Sequence, residues 1–208
     1  MLAVVSKTEN KTSVSRHQEV EVKIAVSNAR ETRALLKTHG FVVRRSRVFE
    51  QNIVLDDSER SVKARNLLLR VRSAGKRITV TFKGKEAQGG VHKRREEREF
   101  QASDLEECLA VFEGIGFTPS LRYEKYRTEF GRGEEAGVVT LDETPIGVFM
   151  ELEGPSRWID ATAKELGFSR DRYIGLSYGR LFQAWCAEYG IVSSNMSFAE
   201  IAAPAEES

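Results

Sequence analysis

The stretch Glu19-Val20-Glu21-Val22-Lys23-Ile24 decides the fold. Successive side chains of a strand point to opposite faces. Glu19, Glu21 and Lys23 therefore share one face, and Val20, Val22 and Ile24 the other. The same split recurs down the chain. Arg70 and Arg72 alternate with Leu69 and Val71, and Thr79, Thr81 and Lys83 with Ile78, Val80 and Phe82. Lys125, Arg127 and Glu129 oppose Tyr126 and Phe130, and Thr140 and Asp142 oppose Val139 and Leu141. Glu151 and Glu153 oppose Val148, Met150 and Leu152. The run carrying Arg95, Glu97 and Glu99 is charged on both faces and reads as more exposed.

Turn signals separate these runs: Ser73-Ala74-Gly75, Gly84 to Gly90, Gly131 to Gly137, and Thr144-Pro145-Ile146-Gly147. Eight strands are expected, near 18–26, 48–55, 66–73, 76–84, 92–100, 122–130, 137–143 and 147–153. Asn28 can cap a helix that carries Leu35 and Leu36 and ends at Gly40. Ser103 and Glu106 read as a capping box for a stripe of Leu105, Leu109 and Phe112. Ser156 starts a helix with Ile159, Ala163 and Leu166 inward. A last helix over 171–189 puts Ile174, Tyr178, Leu181 and Trp185 on one face. Few strand pairs have a helix between them, which disfavours parallel winding. The prediction is an α+β fold: an eight-stranded antiparallel β-barrel, or tunnel, with helices packed outside. Residues 1–17 and 191–208 read as flexible extensions of one domain over 18–190.

Composition sets the outer bounds. With 208 residues, 40% hydrophobic and 30% charged, the chain supports one substantial core, and wholesale disorder is excluded. No run of about 18 apolar residues exists to form a transmembrane helix, and residues 1–18 lack a secretory pattern. Cys108 and Cys186 have no partner spacing, which argues against disulfides or structural zinc and for a cytoplasmic protein. A net charge of +1, from 32 basic and 31 acidic residues, disfavours a nucleic-acid binder. His17, His39 and His92 fall outside the inward positions and are expected in solvent.

Two arrangements fit the alternation. Either the polar faces of a half-buried sheet meet solvent, or helices cover the apolar faces and the charges line a lumen. Whole charged groups recur in strand after strand, where a solvent face would mix in Ser, Thr, Asn and Gln, and this favours the lumen. Buried charges demand compensation. Lys23, Arg70, Arg72, Lys83, Lys125, Arg127 and, at the margin, Arg95 call for a polyanion. Glu19, Glu21, Glu151 and Glu153 call for a divalent cation, and their oxygen donors suit Mg²⁺ or Mn²⁺ rather than zinc. A metal-complexed polyphosphate meets both demands.

Glu19-Val20-Glu21-Val22-Lys23 resembles the ExExK signature of the CYTH superfamily, the triphosphate tunnel metalloenzymes. Behind it, in that family's order, come Leu69-Arg70-Val71-Arg72, Thr81-Phe82-Lys83-Gly84, Arg95-Glu96-Glu97-Arg98-Glu99, Lys125-Tyr126-Arg127, Leu141-Asp142-Glu143 and Glu151-Leu152-Glu153. Ser177-Tyr178 with Leu181, and Gly147-Val148-Phe149-Met150-Glu151, resemble the class IV adenylyl cyclase branch. Val54-Leu55 stands where many relatives carry an aromatic pair.

The resemblance implies an enzyme that uses Mg²⁺ or Mn²⁺ to convert ATP to cyclic AMP and pyrophosphate. The alternatives are a triphosphatase acting on inorganic or organic triphosphates, and a non-catalytic polyphosphate or nucleotide binder. It assigns Glu19, Glu21, Glu151 and Glu153, with Glu97 and Glu99, to metal. Arg70, Arg72, Lys83, Arg95, Lys125, Arg127 and Tyr178 go to substrate, and Lys23 and Asp142 to catalysis, with Asp142 or a metal-bound hydroxide as base. Homodimerisation is compatible with this branch.

Overall fold

The alternating strands pair antiparallel and close on themselves, because each presents one apolar face that must be covered. The computed structural model describes residues 17–86 and 92–201. Residues 1–16 of the expected N-terminal extension, most of the turn to Gly90, and residues 202–208 lie outside that range, and His17 is the first residue of β1.

The elements run β1 (His17–Val26), α1 (Ala29–Thr38), β2 (Val42–Asp56), α2 (Ser61–Ala64), β3 (Leu68–Ala74), β4 (Arg77–Lys83) and β5 (Lys93–Ala102). Then come α3 (Leu105–Gly114), β6 (Thr118–Gly131), β7 (Val138–Thr144), β8 (Gly147–Glu153), α4 (Ser156–Glu165), α5 (Tyr178–Tyr189) and β9 (Asn195–Met196). The sheet order is β2-β3-β4-β5-β1-β8-β7-β6, and β6 returns to pair with β2, which closes the barrel.

The outward faces form the core. Val22, Ile24, Val139, Leu141, Met150 and Leu152 are buried against Leu36 of α1 and Ile159 and Ala163 of α4. Ile53, Leu55, Val71 and Val80 lie under Leu105, Leu109 and Phe112 of α3. Burying each large aliphatic or aromatic side chain stabilises by about 1.5–3 kcal/mol. A one-residue slip would turn that whole set into the lumen, so the register is strongly fixed. Gly137 permits the close approach of α4, since a Cβ there would lie 2.2 Å from the Trp158 ring.

Several expectations need correction. β2 begins at Val42, well before 48, and stays paired with β6 through register shifts between Val43 and Arg45 and between Arg45 and Val48. Its first half is exposed on both faces, so no alternation marks it. The cap of α3 is Asp104, which accepts from Glu107 N at 2.9 Å, one residue beyond Ser103. The last helix begins at Tyr178, capped by Ser177, rather than at 171. Ile174 instead donates its N–H to the Lys23 carbonyl at 2.8 Å and fills the strand edge there. The segment read as a flexible tail packs on the barrel as far as residue 201. β9 pairs parallel with Arg122 and Tyr123, and Met196 and Ile201 are buried.

Candidate active site

The inward faces bring the predicted charges to one cavity of about 290 Å³, lined by Glu19, Glu21, Lys23, Arg70, Arg72, Lys83, Arg95, Glu97, Glu99, Lys125, Arg127, Glu151, Glu153 and Tyr178. Asp142 lies beneath this lining, with 0% of its surface exposed. Within the lumen the charges sort into three groups.

The first group centres on Asp142. Its carboxylate accepts from Lys125 Nζ at 2.8 Å, Arg127 Nε at 2.6 Å and the Tyr178 hydroxyl at 2.7 Å. Glu151 pairs with Lys23 at 2.9 Å and with Arg127. Burial works against the ionised form of Asp142, but Arg127 and Lys125 overcome it and hold the carboxyl below its ordinary range. For Glu151 burial is likewise outweighed by Lys23 and Arg127, and its carboxyl sits well below the ordinary range. Lys23, despite burial, is held charged by Glu151 and Glu21. Asp142 is thus a sealed counter-ion. A carboxylate saturated by two cations and a hydroxyl has little basicity left, which disfavours its expected role as general base.

The second group is acidic. Glu19 is bonded to Lys83, and Lys83 lies 3.5 Å from Glu97. Burial, then Glu19 and Glu21, push the Glu153 carboxyl up to about 7. Burial, offset by Lys83 but reinforced by Glu19 and Glu99, does the same for Glu97, also to about 7. This side gathers the carboxylates of Glu19, Glu21, Glu97 and Glu153 on one part of the lumen. An all-oxygen set fits a hard divalent cation. Among the described residues, no three metal-binding side chains are gathered into a preformed site. Of the carboxylates assigned to metal by resemblance, Glu151 is instead tied to Lys23 and Arg127. Glu99 accepts from Thr81 at 2.6 Å and faces Arg72 at 3.6 Å, so it sits on the cationic wall.

The third group is that wall. Arg70 donates to Tyr123 Oη and Thr81 Oγ1, both at 3.2 Å. Arg72 lies 3.7 Å from Glu50, and Lys125 3.6 Å from the same carboxylate. Burial and repulsion from Arg70 lower the Arg72 pKa, although Glu50 and Glu99 oppose the shift. Asn52 Oδ1 and Nδ2, Glu50 Oε2 and Arg70 Nε are buried with no hydrogen-bond partner among the described residues. Such an unmade bond costs about 1–3 kcal/mol. Arg95 departs from its expected phosphate role. Its Nε and Nη2 donate to Gly84 O at 2.8 Å and Asn66 O at 2.7 Å, which fixes the loop before β3.

Tyr123, which lines the lumen, and Glu50 and Asn52, buried on the inward side behind it, were missed. Their signal was present, since Glu50 and Asn52 alternate with Ile53 and Leu55 in an expected strand. His92 is also corrected. It pairs with Asp160 at 2.9 Å, and Tyr173 donates to the same oxygen, so it is a packed residue and not a solvated one. His39 contacts Leu35 O at 2.9 Å, and the side chain of His17 lies outside the described set.

At the α5 end the lumen adjoins a second cavity of about 400 Å³, sharing Tyr123 and Tyr178 and lined further by Leu68, Leu121, Phe182, Arg60 and Arg180. Its α2 wall is rigidly made. Asp56 accepts from the backbone N–H groups of Asp57, Val62 and Lys63 at 2.9–3.1 Å. Arg60 and Asn66 adopt left-handed φ values of 58° and 57°, a strain that side-chain-bearing residues retain only where surroundings impose it.

A closed antiparallel barrel with a cationic wall facing an acidic one is a triphosphate tunnel fold. The CYTH domain profile matches residues 17–169, and the chain belongs to this family. Comparison with curated proteins gave no significant match. A crystal structure from Vibrio parahaemolyticus, described as a candidate adenylate cyclase, superposes with a TM-score of 0.70 at 20% identity, over 81% of this chain and 99% of that one. A Pyrococcus horikoshii protein gives 0.68 at 22%, covering 80% and 99%. A candidate adenylyl cyclase from Hippeastrum, described as having a dominant triphosphatase activity, gives 0.60 at 16%, covering 84% and 97%. At these identities the likeness is one of fold.

Proposed function

We propose that this protein is a metal-dependent enzyme acting on a nucleoside triphosphate, and that it converts ATP to cyclic AMP and pyrophosphate. One observation carries the reading: the charged lumen adjoins, at Tyr123 and Tyr178, a largely apolar cavity of about 400 Å³, large enough for an organic group. An inorganic triphosphate has no use for that cavity.

Phosphoryl transfer asks the protein mainly for positioning and charge neutralisation. Arg70, Arg72, Lys83 and Lys125 are the groups for the phosphate oxygens. Arg127 is engaged with two carboxylates and acts by fixing Asp142 and Glu151. Lys23 is held charged and therefore serves as a hydrogen-bond donor to developing negative charge, not as a base. Glu19, Glu21, Glu97 and Glu153 would hold Mg²⁺ or Mn²⁺. When bound, that ion supplies neutralisation of the phosphate oxygens. With the nucleoside in the α5 cavity, its ribose would sit on the α-phosphate side of the lumen, where the 3′-hydroxyl can attack.

A second reading is a triphosphatase, which the same charges would serve; the Hippeastrum protein's described activity favours it. Incubation with ATP and, separately, tripolyphosphate in Mg²⁺ or Mn²⁺ separates the two. Cyclic AMP with pyrophosphate supports the cyclase. ADP with phosphate and no cyclic AMP overturns it in favour of hydrolysis, and binding without turnover leaves a nucleotide-binding module.

A further inference from the structure

On the side away from α5, Arg72 and Glu99 line both the lumen and a third cavity, of about 320 Å³, at the β3–β4 hairpin. Two more arginines stand there. Arg77 pairs with Ala74 at the hairpin's end and shares a face with Thr79, which is paired with Arg72. Two residues along a strand is about 6–7 Å, so Arg77 continues the line of Arg70 and Arg72 outward. Arg45 reaches the same mouth from the irregular, exposed half of β2. It donates one N–H to Glu129 at 2.8 Å, and a guanidinium has five donors. Arg77 is exposed and makes no ion pair among the described residues.

Nothing in holding three phosphates requires this mouth, since Arg70, Arg72, Lys83 and Lys125 already face the lumen. Inside it, Arg72 has its pKa lowered by burial and by its neighbour Arg70, the mark of a cation short of negative charge. Carboxylates are present, but Glu50 stays 3.7 Å from Arg72 and Glu99 3.6 Å, beyond hydrogen-bond distance. One oxygen of Glu50 has no hydrogen-bond partner at all among the described residues. Arg72 thus keeps donors for a ligand, and the line leads on to two guanidinium groups at the surface.

We propose that this mouth is a distal phosphate subsite, in which Arg45 and Arg77 bind the end of a linear polyphosphate chain longer than three. Its ligand class is nucleoside tetraphosphates and longer linear polyphosphates. The inference rests on the reading of the lumen as a triphosphate site with the nucleoside at the α5 end.

The experiment is an equilibrium titration with methylene-bridged, non-hydrolysable analogues of ATP and of adenosine 5′-tetraphosphate, each with Mg²⁺. In the parent protein the tetraphosphate should bind about tenfold more tightly, the scale of one added charge-assisted contact. Arg77→Ala should reduce that ratio to a few-fold. Arg77→Glu and the double variant with Arg45→Ala should bring it to about one, with binding of the triphosphate analogue unchanged within about twofold. A ratio near one in the parent overturns the subsite, as does a tenfold ratio that survives in Arg77→Glu. Failure to bind the triphosphate analogue at all would instead remove the reading of the lumen, and the subsite with it.

Discussion

The Tyr178 hydroxyl donates a 2.7 Å hydrogen bond to Asp142 Oδ2, tying the first residue of α5 to a carboxylate deep in the barrel. The Lys23 and Lys125 ammonium groups lie 4.3 and 5.0 Å from the centre of the same ring. Tyr178 therefore seals the counter-ion group and lines both the lumen and the cavity beside it. Its apolar packing against Phe149 and its polar contact with Asp142 are separable.

Tyr178→Phe tests that separation. It keeps the ring over both ammonium groups and deletes only the hydrogen bond, so urea unfolding should show a loss of about 0.5–1.5 kcal/mol. Tyr178→Ala removes the packing as well and should cost about 3 kcal/mol or more. Equal losses from the two would mean that the ring contributes nothing.

Asp142→Asn distinguishes a counter-ion from a base. A base replaced by its amide loses activity but keeps stability. Removing the charge that faces Lys125 and Arg127 leaves buried cations uncompensated, which costs about 3–5 kcal/mol. Unfolding of the purified variant should show that loss, partly restored by a triphosphate ligand. A fully stable but inactive Asp142→Asn would reinstate the base.

The barrel was legible because period-2 alternation is a local signal that survives in most of the strands, from Glu19 to Glu153, although β5 is charged on both faces. What stayed hidden depends on what each side chain meets. Nothing in Arg95 says that its guanidinium will be used by Gly84 O and Asn66 O, since both carbonyls come from loops elsewhere in the chain. Asp142 looked like a candidate base because its three partners come from β6 and α5, and only folding brings them together. Glu50 and Asn52 alternated correctly but lay in a strand whose exposed first half blurs its pattern.

The acidic side predicts a pH dependence. Glu97 and Glu153 have folded-state pKa values of about 7 against an ordinary 4.5, so the native chain holds their protons more tightly than the unfolded chain. Their contribution is favourable in acid, declines as pH rises from about 4.5, and is lost through about 7. Melting temperatures of the metal-free protein should fall over that window, and Mn²⁺ should offset the fall increasingly as the carboxyls ionise. Glu153→Gln should flatten the profile. A melting temperature that rises from pH 5 to 7 in both proteins would refute the assignment.

Lys83 couples the two walls. It is bonded to Glu19 and sits 3.5 Å from Glu97, so in the ligand-free protein it competes with a cation for those carboxylates. A phosphate chain would draw the ammonium away and leave the carboxylates to the metal, which makes anion and cation binding mutually favourable. Lys83→Ala should then have opposite effects on the two ligands. Mn²⁺ affinity of the nucleotide-free protein, read by electron paramagnetic resonance, should rise about tenfold, the effect of removing one like charge at close range in a partly screened site. The stabilisation given by a non-hydrolysable ATP analogue should shrink, because a phosphate contact is gone. That stabilisation is about 2.7 kcal/mol at a hundredfold excess over Kd in a protein that binds normally, so the loss is measurable by thermal unfolding. Weaker binding of both ligands would mean that Lys83 holds the site's shape, and that the two walls do not compete for it.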